Sequence, residues 1–188
     1  MSALSAAQPD GWLLEKDKNG IRVYTKKNSK SNLKDSQSIM VINTTAGKAF
    51  ELFTDFERHN KWMDRIRTSR LLKKVSDTEF YVYYEVTAPW PASDRDVVVH
   101  YKMTELDSGG FKMEAIGKPD YVPRKEGMVR VPESHSTWEF IPKGGKLEVI
   151  FTSHSDPGGS IPDWLANMTA ADNPYNTLSN LRKLLGGE

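Results

Sequence analysis

The chain of 188 residues carries 26 Lys and Arg against 25 Asp and Glu, a formal charge of +1, and no cysteine. That balance gives no electrostatic draw toward nucleic acid, and it excludes disulfides, thiolate metal sites and cysteine nucleophiles. With 38% hydrophobic residues, no run of ~20 apolar residues and no basic-then-apolar start, it reads as one cytoplasmic globular domain, 10–188, behind a flexible leader, 1–9.

Asn19-Gly20 is a hairpin signal, and Ile21-Arg22-Val23-Tyr24 behind it reads as a strand. A longer strand follows over 33–42. Asn43-Thr44-Thr45 supplies capping oxygens for a helix over 46–56, in which Ala46, Ala49, Phe50, Phe53 and Phe56 make one buried stripe. Strands are expected over 69–74, 79–87, 95–105, 111–117, 128–131, 135–141 and 147–154, with glycine turns at 108–110 and 143–146. Short turns between so many strands imply an antiparallel sheet. A final helix over 162–185, roughly 36 Å long, must cover one face of it, which makes the architecture α+β.

In that helix Trp164, Met168, Ala171, Tyr175 and Leu178 step by three and four, with Leu181 and Leu185 beyond. Its centre is polar. Thr169, Asp172, Asn173 and Asn176 surround Pro174, and a proline inside a helix removes a hydrogen bond and kinks it, at about 3 kcal/mol or more. The kink is either a harmless bend or a device for movement or for a bound group.

Several segments now fall into a known order. They are Gly20-Ile21-Arg22-Val23-Tyr24, the aromatic helix from Phe50 with its trailing Trp62, and Pro89-Trp90-Pro91 followed by Ser93-Asp94-Arg95-Asp96-Val97-Val98. Ser136-Thr137-Trp138-Glu139-Phe140 comes next, then Ile161-Pro162-Asp163-Trp164 and the closing Asn180-Leu181-Arg182-Lys183-Leu184-Leu185. With these the chain resembles the START domain, the StAR-related lipid-transfer module, and its proline-flanked loop looks most like the phosphatidylcholine-transfer branch. The resemblance implies a helix-grip fold: a curved antiparallel sheet wrapped around a long C-terminal helix and enclosing a hydrophobic cavity. It also implies a lipid or other apolar small molecule as partner, no cofactor, no metal and no catalysis.

Candidate ligand-binding residues follow from strand facing. Val97, Val99 and Tyr101 share one face of their strand, and Arg95 lies on the same side at the rim. There it could hold a phosphate or carboxylate bidentately, or pair with Asp94 or Asp96 to pin the loop. In the preceding strand, alternation favours Phe80, Val82, Tyr84 and Val86 inside. The resemblance instead turns Tyr83 and Glu85 inward, and both facings stay open. From the last helix Leu165, Met168, Asp172, Tyr175 and Asn176 join the list. Trp90 and Pro174 are the gate candidates: Trp90 either dips into a membrane as a lid aromatic or folds back on the sheet edge.

Pairing across Gly144-Gly145 places His135 opposite His154 and Thr137 opposite Thr152, leaving Trp138 and Phe140 on the pocket face with Leu147, Val149 and Phe151. The histidines share the outer face without a third ligand nearby, so they read as structural rather than as a zinc site. The leading expectation is a carrier that binds and transfers a lipid or sterol-like ligand, gated by the loop 88–96 and the last helix, with transient membrane contact. The alternatives are a polyketide cyclase or aromatase drawing on Glu85, Arg95, Tyr83 and Tyr101 as acid and base, or a ligand-responsive sensor.

Overall fold

The computed structural model describes residues 11–159 and 161–186, so the expected leader lies outside the described residues. The elements run β1 (Leu13–Lys18), β2 (Ile21–Lys27), β3 (Lys34–Ile42), α1 (Ala46–Thr54), a 3-10 turn (Phe56–Lys61), β4 (Ile66–Lys74), β5 (Glu79–Val86) and β6 (Arg95–Glu105). Then come β7 (Phe111–Gly117), β8 (Val129–Arg130), β9 (Glu133–Lys143), β10 (Lys146–Asp156), α2 (Asp163–Met168) and α3 (Asp172–Leu184). The sheet has ten strands in the order β1-β2-β3-β10-β9-β7-β6-β5-β4, antiparallel throughout except that the short β8 lies parallel to β6. With α3 packed on β2 and β3, this is the α+β helix-grip fold.

Local chemistry explains the boundaries. Asn19 and Gly20 both have positive φ, 53° and 68°, as the two-residue hairpin turn requires. Thr45 caps α1 by accepting the Lys48 amide on its Oγ1 at 3.3 Å. The helix expected over 46–56 ends at Thr54, and the aromatic stripe continues into the 3-10 turn.

The expected single C-terminal helix is two helices, broken at 169–171. Pro174 therefore sits in the first turn of α3, and the carbonyl its missing N–H would have met, that of Ala170, falls within the break. Once the break is admitted, the polar residues around Pro174 belong to a helix N-terminus rather than to a strained helix centre.

Phe53 of α1 is fully buried, and its ring meets those of Trp62, Tyr101, Trp138 and Phe140 at centroid distances of 5.5–5.9 Å. Around it the inner face of β6, β7, β9 and β10 is packed solid with Phe111, Met113, Leu147 and Val149. One polar chain threads this aromatic mass. The fully buried His59 donates from Nε2 to the Phe53 carbonyl at 2.6 Å, since a carbonyl can only accept. Its Nδ1 then accepts from the Tyr84 hydroxyl at 2.7 Å, and the Tyr84 oxygen accepts from Tyr101 at 3.0 Å.

Burial pushes the His59 pKa down to about 4, so the native fold keeps it neutral. An unfolded chain protonates it near 6.5, so its contribution is complete above that pH and is lost as pH falls through 4. Urea unfolding at stepped pH should show stability declining by about 3 kcal/mol over that window. His59→Gln should flatten the slope there, and an unchanged slope in the variant would contradict the assignment.

Candidate functional site

The chain between β5 and β6 is fixed at its base and free at its tip. Asp94 accepts the Ala88 amide on Oδ1 at 3.1 Å and Arg67 Nη1 on Oδ2 at 2.7 Å. Beyond that base, Ala92 N–H closes a tight turn on the Pro89 carbonyl at 3.0 Å, and Trp90 stands 90% exposed.

Arg95 opens β6 at 5% exposure, with its guanidinium spent on carbonyls rather than carboxylates. Nε donates to Pro157 O at 3.2 Å, Nη2 to Gly158 O at 2.9 Å, and Nη1 to Ser93 O. Arg95 thereby ties the loop before β6 to the turn after β10. That turn needs glycine: Gly158 has φ 64°, and a Cβ there would lie 2.8 Å from the Pro132 ring. Burial pushes the Arg95 pKa down, opposed by the charge of Asp94. Two of its five N–H groups are not used by these bonds.

Beside Arg95 lies a cavity of about 270 Å³ between the sheet and α2. Leu33, Val86, Val97, Val131 and Leu165 form apolar walls, Ser36, Ser134, Ser153 and Ser155 a hydroxyl floor, and Lys34, Arg65 and Arg95 bring positive charge. The register produces the floor. Ser153 of β10 pairs with Ser36 of β3 on one side and Ser136 of β9 on the other. The next inward-facing row is Ser38, Phe151 and Trp138, and the one after it Met40, Val149 and Phe140. The inner face thus changes from aromatic to hydroxyl within one step of the pleat.

The two roof helices are held differently. α3 is latched to the segment 62–65 by residues at i, i+3, i+4 and i+7. Arg65 Nε donates to Asn173 Oδ1 at 3.0 Å, Asn176 Nδ2 to Asp64 Oδ2 at 3.2 Å, Asp64 N–H to Thr177 Oγ1 at 3.0 Å, and Asn180 Nδ2 to Trp62 O at 3.3 Å. α2 has no buried residue. Asn167 anchors it by accepting the Lys34 amide at 2.9 Å and donating to Asn32 O at 3.0 Å.

Of the expected site residues, Arg95, Val97, Leu165 and Pro174 line the cavity. Val99, Tyr101, Trp138 and Phe140 face inward as expected but are packed in the aromatic core and do not line it. The remainder require correction. Met168 is 63% exposed on α2. Asp172 pairs with Lys16, Tyr175 accepts from Asn19 Nδ2 at 3.1 Å, and Asn176 is engaged with Asp64. The inward facing expected of Met168 assumed one continuous helix, which the break at 169–171 interrupts; Tyr175 packs on the core beside Leu178 and Leu181 but does not line the cavity. Trp90 does not fold back on the sheet.

Tyr83 and Glu85 lie on the outer face, as plain alternation had it. Asp96 and Arg130 form a buried bidentate pair there, both contacts 2.9 Å, with Tyr83 donating to Asp96 at 3.2 Å. Glu85 accepts from Lys125, from Thr68 Oγ1 at 2.9 Å and from Arg67 at 3.2 Å. Lys125 foremost holds its pKa down at about 2, against the pull of burial. This network fastens β8 and the loop before it onto β6.

His135 and His154 face each other on the outer face, paired with Glu114 at 3.3 Å and Asp35 at 2.7 Å. They sit in a second, polar depression of about 350 Å³ that also holds Trp12 and Lys30. The serine floor and Arg65 were missed in the sequence. The serines carried a signal, since three strands each exchange large inward residues for serine at one end. Arg65 carried none.

The START domain family model matches residues 2–186. An uncharacterised protein of Pseudomonas aeruginosa is 33% identical over 94% of this chain and 87% of its own length. The mouse phosphatidylcholine transfer protein is 27% identical, covering 92% of this chain and 82% of that protein. The crystal structure of a STAR-related lipid transfer protein fragment from Xanthomonas axonopodis superposes with a TM-score of 0.88 at 36% identity, over 94% of this chain and 99% of that one.

Because α2 hangs on Asn167, Asn167→Ala should raise amide hydrogen exchange across 161–168 while leaving α3 protected. The loss of global stability should be about 1 kcal/mol. Equal loosening of both helices would refute the separate anchoring.

Proposed function

The chain belongs to the START family, and on that premise we propose that it is a cytoplasmic carrier. In this reading it takes a lipid or similar hydrophobic molecule into the cavity beside Arg95 and releases it to a membrane unchanged. The single observation behind it is the two-sided lining, with apolar walls for a tail and hydroxyl and guanidinium groups for a polar head. Removing about 300 Å² of apolar ligand surface from water is worth about 7 kcal/mol before ordering costs. Arg95 and Arg65 orient an acidic group within that desolvated space.

The enzymatic alternative is less well supported. Its acid–base set never meets, because Tyr83 and Glu85 are outside the sheet and Tyr101 is inside the packed core. Among the described residues, the serine hydroxyls of the cavity have no lining histidine or carboxylate to activate them.

Uptake requires a wall to move, and α2 with the loop tip 89–93 is the weakly held part. Trp90 and Trp164, 90% and 64% exposed, project from these two elements that border the cavity. Tryptophan favours the membrane interface, and Lys30 and Lys34 adjoin the Asn167 anchor, so this end makes a transient membrane contact. Among the described residues no helix is long and apolar enough to cross a membrane.

Mass spectrometry of an organic extract of the purified protein should yield a stoichiometric lipid. Trp90→Ala and Trp164→Ala should slow vesicle-to-vesicle transfer several-fold with ligand binding retained. An empty extract together with no transfer would refute the carrier reading.

A further inference from the structure

The cavity lining has an unusual chemical bias. Among the described residues it contains Lys34, Arg65 and Arg95 but no Asp or Glu, and no Phe, Tyr or Trp. Lys34 is matched by Glu15 at 2.9 Å. Arg65 and Arg95 have no carboxylate within ion-pair distance among the described residues: the first bonds to Asn173 and the second to backbone carbonyls. The uncompensated charge facing the cavity is therefore positive.

A quaternary ammonium head is held by aromatic faces or by carboxylates. This cavity offers neither, because the inner-face aromatics begin one row beyond the serine floor, where they pack on one another around Phe53 and do not line it. The volume of about 270 Å³ also lies just below the ~300–1,000 Å³ of drug-sized ligand pockets. Deeper space is closed by Trp138, Phe140 and Phe111.

We infer that the ligand is a compact single-tailed amphiphile with a net anionic head, a carboxylate or phosphate without choline. Its head meets the free N–H groups of Arg95 and Arg65 and the serine hydroxyls. Its tail lies between Val97, Val131 and Leu165. This rests on the carrier reading and narrows it, since choline-bearing lipids are then disfavoured.

The test holds the tail constant and varies the head. Dodecanoate, dodecyl phosphate, dodecylphosphocholine and dodecyltrimethylammonium are each titrated into the full chain by calorimetry below their micelle-forming concentrations. At least one anion should bind roughly tenfold tighter than the choline and ammonium compounds, a gap of about 1.4 kcal/mol. Which anion binds better separates a carboxylate source from a phosphate source. Arg95 also ties two loops, so Arg95→Gln tests the fold as well as the head; Arg65→Gln is the second variant, and it should narrow the gap while the fold is kept. Dodecylphosphocholine binding as tightly as the anions overturns the headgroup inference and leaves the carrier reading standing. Uptake of none of the four overturns the single-tailed inference, and the extract and transfer measurements above then decide the carrier reading.

Discussion

The inner face of this sheet is curved and largely apolar, and each stretch of it must be covered by some other part of the chain or by a guest. α1 and the 3-10 turn meet that requirement for one half by delivering Phe53, Phe56 and Trp62 onto Tyr101, Trp138 and Phe140. Interiors built this way approach crystal density, so this half is a wall and not a reservoir. Over the other half lie α2, the first turn of α3 and the loop after β5, with the cavity beneath them. There the inner face itself changes character, with serines where the neighbouring rows carry rings.

The division of the C-terminal roof follows from the same constraint. α3 buries Leu178 and Leu181 in the core, and its polar stripe grips 62–65 with four hydrogen bonds, at about 1 kcal/mol each. α2 has no comparable hold beyond Asn167, and the break at 169–171 separates it from α3. Charge is handled with the same asymmetry. Outside the sheet, Asp96 and Arg130 neutralise each other in a bidentate pair, while Arg95 is bonded to carbonyls, with the Asp94 charge acting on it from beyond ion-pair distance. A buried bidentate pair fixes structure, whereas the Arg95 guanidinium touches no carboxylate.

Much of this was legible in the sequence because it rests on local periodicity. The hairpin register that set His135 against His154 needs only a glycine turn and the pleat, and the Phe53 stripe needs only helical spacing. Features that depend on distant partners were not legible. The burial of Glu85 on the outer face depends on Lys125, forty residues away in sequence, and family likeness pointed its side chain the wrong way where alternation did not. The last helix misled because its three-and-four spacing continues across the break. Leu165 on one helix and Leu178 on the other both face inward, whereas Met168 and Tyr175 do not reach the cavity. The serine rows were readable in principle, but only by aligning three strands at once.

The most direct test of where the ligand sits is a crystal structure of the protein with a fatty acid brominated on its tail, located by anomalous scattering. The account predicts a bromine peak between Val97, Val131 and Leu165, with the carboxylate within hydrogen-bond distance of Arg95 or Arg65. A peak among the rings around Phe53, or in the polar depression beside His154, would contradict it.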